Sequence, residues 1–80
     1  MSKVNIYCLK DSKTGQFSQP LTFINDGAFV RWASRYGSSG QIEFPNDQEL
    51  FKLGSMDTAS GEIVPGKEFV ANLVDYLEVK

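Results

Sequence analysis

Hydrophobic side chains open the chain in both registers of a strand. Val4, Ile6 and Cys8 fall on one face, and Asn5, Tyr7 and Leu9 fall on the other. A strand that is mainly apolar on both faces belongs in the middle of a sheet. An extended stretch follows from Phe17 to Phe23, but Pro20 lacks a backbone donor, so a second strand here is short or lies at an edge. The period then changes. Ala28, Phe29, Trp32, Ala33 and Tyr36 share one helical face, while Arg31, Ser34 and Arg35 occupy the opposite one. Asn25 or Asp26 can cap this helix, and Gly37 is the expected left-handed stop before Ser38-Ser39-Gly40. Ile42 to Phe44 is a short apolar piece, and Pro45-Asn46-Asp47-Gln48 reads as a turn or a single helical turn. Glu49 to Met56 is a third strand, and Glu62-Ile63-Val64 pairs back upon it.

The polar punctuation repeats. Asp11-Ser12-Lys13-Thr14-Gly15 and Asp57-Thr58-Ala59-Ser60-Gly61 both follow an apolar segment and precede another. An Asp that opens a short polar stretch accepts local backbone N–H bonds, and the closing Gly tolerates positive φ, so each copy predicts a hairpin turn. Two hairpins with a helix between them predict an α+β fold: an antiparallel sheet of about four strands with one main helix packed on it. The C-terminal segment is ambiguous between helix and strand. Phe69, Val70, Leu73, Val74 and Leu77 fit a helical stripe, yet Phe69, Val70, Val74 and Tyr76 are also strand formers. The interruption at Ala71-Asn72, with Asp75 and Glu78 off the stripe, favours a helix.

Size and composition narrow the possibilities. Eighty residues make a single domain, 1–80. A chain this short buries roughly 60% of its unfolded surface, and such domains commonly gain stability from disulfides, metals or oligomerisation. The single Cys8 forms no internal disulfide, and without His a metal site would need Cys8 and carboxylates, a poor set. No cofactor is expected, and a homodimer is the remaining device. The free thiol, the lack of an apolar run of about 20 residues and the lack of a secretory-type leader fit a cytoplasmic protein with no membrane role. A net charge of −2 argues against strong non-specific nucleic-acid binding but permits a local basic patch.

Several short motifs, taken in order, carry a resemblance. They are Tyr7 to Leu9 leading into Asp11-Ser-Lys-Thr-Gly-Gln-Phe17, then Pro20, and Asn25-Asp26 before a helix with Ala28 and Arg31. Pro45-Asn46-Asp47-Gln48-Glu49-Leu50 follows, with Leu53-Gly54, Asp57 and Ser60-Gly61-Glu62-Ile63-Val64-Pro65. This pattern resembles the small nonstructural protein of gokushoviruses, which are single-stranded DNA microviruses of bacteria. Asn46 departs from it, standing where a carboxylate is more usual. The resemblance implies a non-capsid protein of the infected bacterial cytoplasm that assists the switch from genome replication to single-strand synthesis and packaging. It implies contact with DNA, with the replication initiator or with the procapsid, and it brings no catalytic residues.

The residues themselves offer a binding chemistry. Arg31 and Arg35 stand one helical turn apart, and guanidinium forks suit phosphate oxygens. Lys10 and Lys13 flank the first turn and Lys52 sits on the third strand; with the arginines they could line one groove. Single-strand binders also stack bases on aromatic rings. Phe17, just after the turn, is the best placed ring, and Tyr7, beside Asn5, is a second; Phe51 and Trp32 are better explained as core. The nucleic-acid-binding set is therefore Arg31, Arg35, Lys10, Lys13, Lys52, Phe17 and Tyr7, acting stoichiometrically on DNA, single strands preferred. The alternative is a protein–protein module for assembly or host interaction that does not touch DNA. Catalysis is not expected: Asp11 and Asp57 are turn residues, the Ser/His and Cys/His pairings are excluded, and Gly37-Ser38-Ser39-Gly40 lacks the Lys of a phosphate-cradling loop.

Overall fold

Because strand β1 (Lys3–Asp11) is apolar on both sides, it takes a central place in the sheet. The computed structural model describes residues 3–42 and 44–77. Strand β1 is followed by β2 (Leu21–Phe23), helix α1 (Asp26–Ser38), a 3-10 turn at Pro45–Asp47, β3 (Gln48–Asp57), β4 (Ile63–Asn72) and a second 3-10 turn at Leu73–Tyr76. The four strands lie in the order β2-β1-β3-β4 and every neighbouring pair is antiparallel. The α+β expectation holds. Strand β2 is a three-residue edge strand, and Phe17 is held upstream of it by a lone bridge to Lys10.

The two Asp-to-Gly stretches fold alike. In the first, Asp11 Oδ1 accepts the Lys13 N–H at 2.8 Å, and Gly15 N–H donates to the Asp11 carbonyl at 2.7 Å. In the second, Asp57 Oδ1 accepts the Ala59 N–H at 2.8 Å, and Gly61 N–H donates to the Asp57 carbonyl at 2.7 Å. Gly15 and Gly61 have φ of 76° and 78°, which an L side chain rarely adopts.

Asn25 caps α1, its side chain accepting the Ala28 N–H at 2.8 Å. The helix continues through Gly37, contrary to the expected stop; the left-handed glycine is Gly40, with φ 85°. Gly37 is buried because Leu73 and Leu77 pack where its side chain would be. The C-terminal segment also departs from the helical expectation. Strand β3 is long enough to pair as far as Glu49 opposite Asn72, so Phe69 and Ala71 join the ladder, with Val70 at the bulge between them. Leu73 then turns inwards and is buried. The expectation for residues 78–79 lies outside the described residues.

Tyr7, Leu9, Phe29, Ala33, Leu50 and Leu73 form the core between α1 and one face of the sheet. Phe29 stacks on Tyr7 at 4.5 Å between centroids, and Phe23 and Trp32 extend the aromatic contacts along the helix. Among the described residues, no helix covers the other face of the sheet.

Candidate functional site

Alternation along β1 sends Tyr7 and Leu9 towards α1, so Cys8 and Lys10 project from the uncovered face. Cross-strand register extends that face outward: Cys8 stands opposite Phe51, and Phe51 opposite Phe69. The bridge from Lys10 brings Phe17 to the same surface. Three phenylalanines from separate segments thus form a row. Phe17 meets Phe51 edge-on at 5.6 Å and 71°, and Phe51 meets Phe69 at 5.7 Å and 78°. The outer two remain open to solvent, Phe17 by 43% and Phe69 by 53%.

Two lysines frame the row. Lys10 Nζ stands 5.7 Å from the Phe17 ring centre and 5.8 Å from that of Phe51, and Lys67 Nζ stands 5.5 Å from Phe17. These are cation–π distances, and they hold positive charge at the margins of an apolar platform. Cys8 is buried in the strand behind it; burial pushes its thiol pKa up, while the Lys67 charge acts the other way. A cleft of about 360 Å³ adjoins Phe17; Asp11, Thr14, Gln16, Ser18 and Gln48 supply its polar walls, and Leu9 and Ile42 line it from the core side.

The residues singled out from sequence do not share one surface. Lys10 and Phe17 lie on the uncovered face. Lys52 stands opposite Tyr7 and Glu68 in the register, which puts it on the helix side of the sheet. Lys13 is exposed in the first turn. Arg31 and Arg35 lie along the outside of α1, beside a groove of about 420 Å³ that Phe23, Trp32 and Tyr36 also line. A single groove containing all of these cations is therefore not formed.

Tyr7 is a correction. Its ring is fully buried, because the face it shares with Asn5 is the one α1 covers. Its hydroxyl donates to Asp26 Oδ1 at 2.5 Å and accepts from Asn5 Nδ2 at 3.0 Å. Burial, reinforced by the bond to Asp26, pushes the phenol pKa up to about 12. In its place the structure supplies Phe51, Phe69 and Lys67. Phe69 and Lys67 were hidden by reading the last segment as a helix; pairing β4 with β3 as far as Asn72 would have put Phe69 opposite Phe51.

Among the described residues, no group of three His, Cys, Asp or Glu side chains is placed to hold a metal ion, and no helix is long and apolar enough to cross a membrane. Fold and platform together define a small α+β protein that presents a row of aromatic rings, flanked by ammonium groups, on an uncovered sheet face. The chain belongs to the Phage ORF5 protein family, whose profile matches residues 4–76, and it is thus a phage protein. Comparison with curated proteins found no match, and neither did comparison with solved structures.

Proposed function

We propose that this phage protein binds single-stranded DNA on the uncovered face of its sheet, with bases against Phe17, Phe51 and Phe69 and phosphates near Lys10 and Lys67. The observation that carries the reading is the exposed phenylalanine row with a cation at its margin. Unstacked bases present flat π-faces to such a platform, at about 1–3 kcal/mol per base. A duplex keeps those faces inside its stack, which is the physical basis of a single-strand preference. The polar walls beside Phe17 offer hydrogen bonds to a base edge, as in other readers of unpaired strands.

With the resemblance to gokushovirus nonstructural proteins, this reading assigns the chain a stoichiometric role in the host cytoplasm, without catalysis. It would cover single strands as replication gives way to single-strand synthesis and packaging. A small core is consistent with a homodimer as the working unit.

The test is fluorescence anisotropy of a labelled thymidine oligonucleotide of about 12 nucleotides, within the usual site size, with a duplex control and a salt series. Tighter binding of the single strand is expected. The logarithm of the binding constant should fall with the logarithm of salt by about 0.7 per phosphate neutralised. Phe69→Ala should weaken binding by roughly 5- to 150-fold, equivalent to about 1–3 kcal/mol, with little cost to folding because the ring is half exposed. Absence of binding at low salt would refute the proposal and leave the same apolar row as a protein-docking face.

A further inference from the structure

On the far side of the molecule, the exposed flank of α1 carries two parallel rows. Arg31 and Arg35 make one and Trp32 and Tyr36 the other, each pair one helical turn apart. Phe23, from edge strand β2, supplies a third ring, 5.7 Å from Trp32, while Trp32 and Tyr36 stand 5.2 Å apart. Ala28 keeps the remaining wall low, and the result is a groove of about 420 Å³. That volume lies within the range of about 300–1,000 Å³ typical of small-ligand sites. Arg31 and Arg35 are exposed, and neither forms an ion pair among the described residues. Guanidinium forks grip phosphate oxygens in pairs, and indole and phenol rings receive planar heterocycles.

We infer that this groove is a second nucleic-acid site, taking a nucleotide of single-stranded DNA with its phosphate on Arg31 and Arg35 and its base against Trp32 and Tyr36. Charge and shape favour this occupant: two exposed guanidinium groups one helical turn apart attract an anion, and the adjoining rings favour an anion carrying a flat group. The phenylalanine row lies on the opposite face of the sheet from α1. One protein molecule therefore holds two separate strand segments, and bridging of single strands follows. The bridging rests on the function proposed above for the sheet face; the groove itself uses none of the same residues.

The chain has one tryptophan, Trp32, and it lines this groove, so its emission reports here and not on the phenylalanine row. Unlabelled thymidine oligonucleotides of about six nucleotides, within the range of single-strand site sizes, should quench Trp32 emission. Quenching should persist in the Phe17→Ala/Phe69→Ala variant and be lost in Arg31→Ala/Arg35→Ala. The wild-type protein should take up two such oligonucleotides per chain, and the arginine variant one. Beads carrying one oligonucleotide should capture a second, labelled one through the wild-type protein only. Circular dichroism melts of both variants, whose altered side chains are solvent-exposed, would verify folding. Saturated anisotropy with unchanged Trp32 emission would overturn the inference while leaving the sheet-face reading intact. Equal bridging by the arginine variant, or quenching by thymidine monophosphate but by no oligonucleotide, would also overturn it. Loss of all oligonucleotide binding would sink both readings together.

Discussion

Gly54→Ala is expected to destabilise the protein severely, and the reason lies in how three strands meet. Gly54 sits in central strand β3 with φ at 150°, where the register slips against both neighbours: Ile6 stands opposite Gly54 but Tyr7 opposite Lys52, and on the other side Pro65 stands opposite Gly54 but Glu68 opposite Lys52. A Cβ at this position would overlap the Val64 carbonyl oxygen, and would come within 3.0 Å of Pro65 Cα and 3.2 Å of the Val64 carbonyl carbon. All three obstacles are backbone, so no side-chain rotation relieves them. Holding an alanine at this φ costs about 1–3 kcal/mol. Forcing β4 outward costs about 1–3 kcal/mol more, the usual range for overpacking. An 80-residue domain has roughly 4–12 kcal/mol of stability in total. At about 4–8 °C per kcal/mol for a domain of this size, Tm should fall by about 10 °C or more. Thermal melts followed by circular dichroism measure this, with Gly66→Ala as the control: Gly66 lies in β4, and a Cβ there meets nothing within 4 Å. Gly66→Ala should stay within about 1 kcal/mol of wild type. A Gly54→Ala protein melting within a few degrees of wild type would show that β4 is not held against β3 as described. Because β4 carries Phe69 and Lys67, the same displacement should also weaken the proposed DNA binding, in proportion to the fraction unfolded.

Two further outcomes follow from buried groups. The Tyr7 phenol has its pKa raised to about 12 in the folded state, against an ordinary value of 10.0, so its contribution to stability is complete below pH 10. Between pH 10 and 12 the unfolded chain loses this proton first, and stability falls as pH rises, by up to about 3 kcal/mol. Melts from pH 8 to 12 should show that fall, and Tyr7→Phe should show a shallower one; identical profiles would remove Tyr7 as the cause. Cys8 is buried with its thiol pKa raised, so iodoacetamide at pH 8 should modify it only through opening of the protein, far more slowly than a free cysteine. Modification in the native protein at the rate of an unfolded control would contradict its placement.

Much of the architecture was legible because its causes are local. An Asp carboxylate bonding the amide two residues on, and a glycine closing the turn, are decided within five residues, and both turns form as their sequences predict. The Asn25 cap and the apolar face of α1 are equally local, as is the break that Pro20 makes before β2. The two-sided apolar pattern of β1 announces its central place in the sheet.

What the local pattern could not decide is which distant segment answers each apolar residue. Phe69, Val70, Leu73 and Val74 satisfy a helical stripe as well as a strand, and only the length of β3 available for pairing settles it. Tyr7 looked accessible because nothing in its own strand reveals that α1 lies over it. The phenylalanine row depends on register: Phe17, Phe51 and Phe69 are separated by 34 and 18 positions in the sequence, and only antiparallel pairing across β1, β3 and β4 sets their rings side by side. Secondary structure here follows from forces acting within a turn or two of chain. The candidate site is made by contacts between strands far apart in sequence, and these exist only once the sheet has closed.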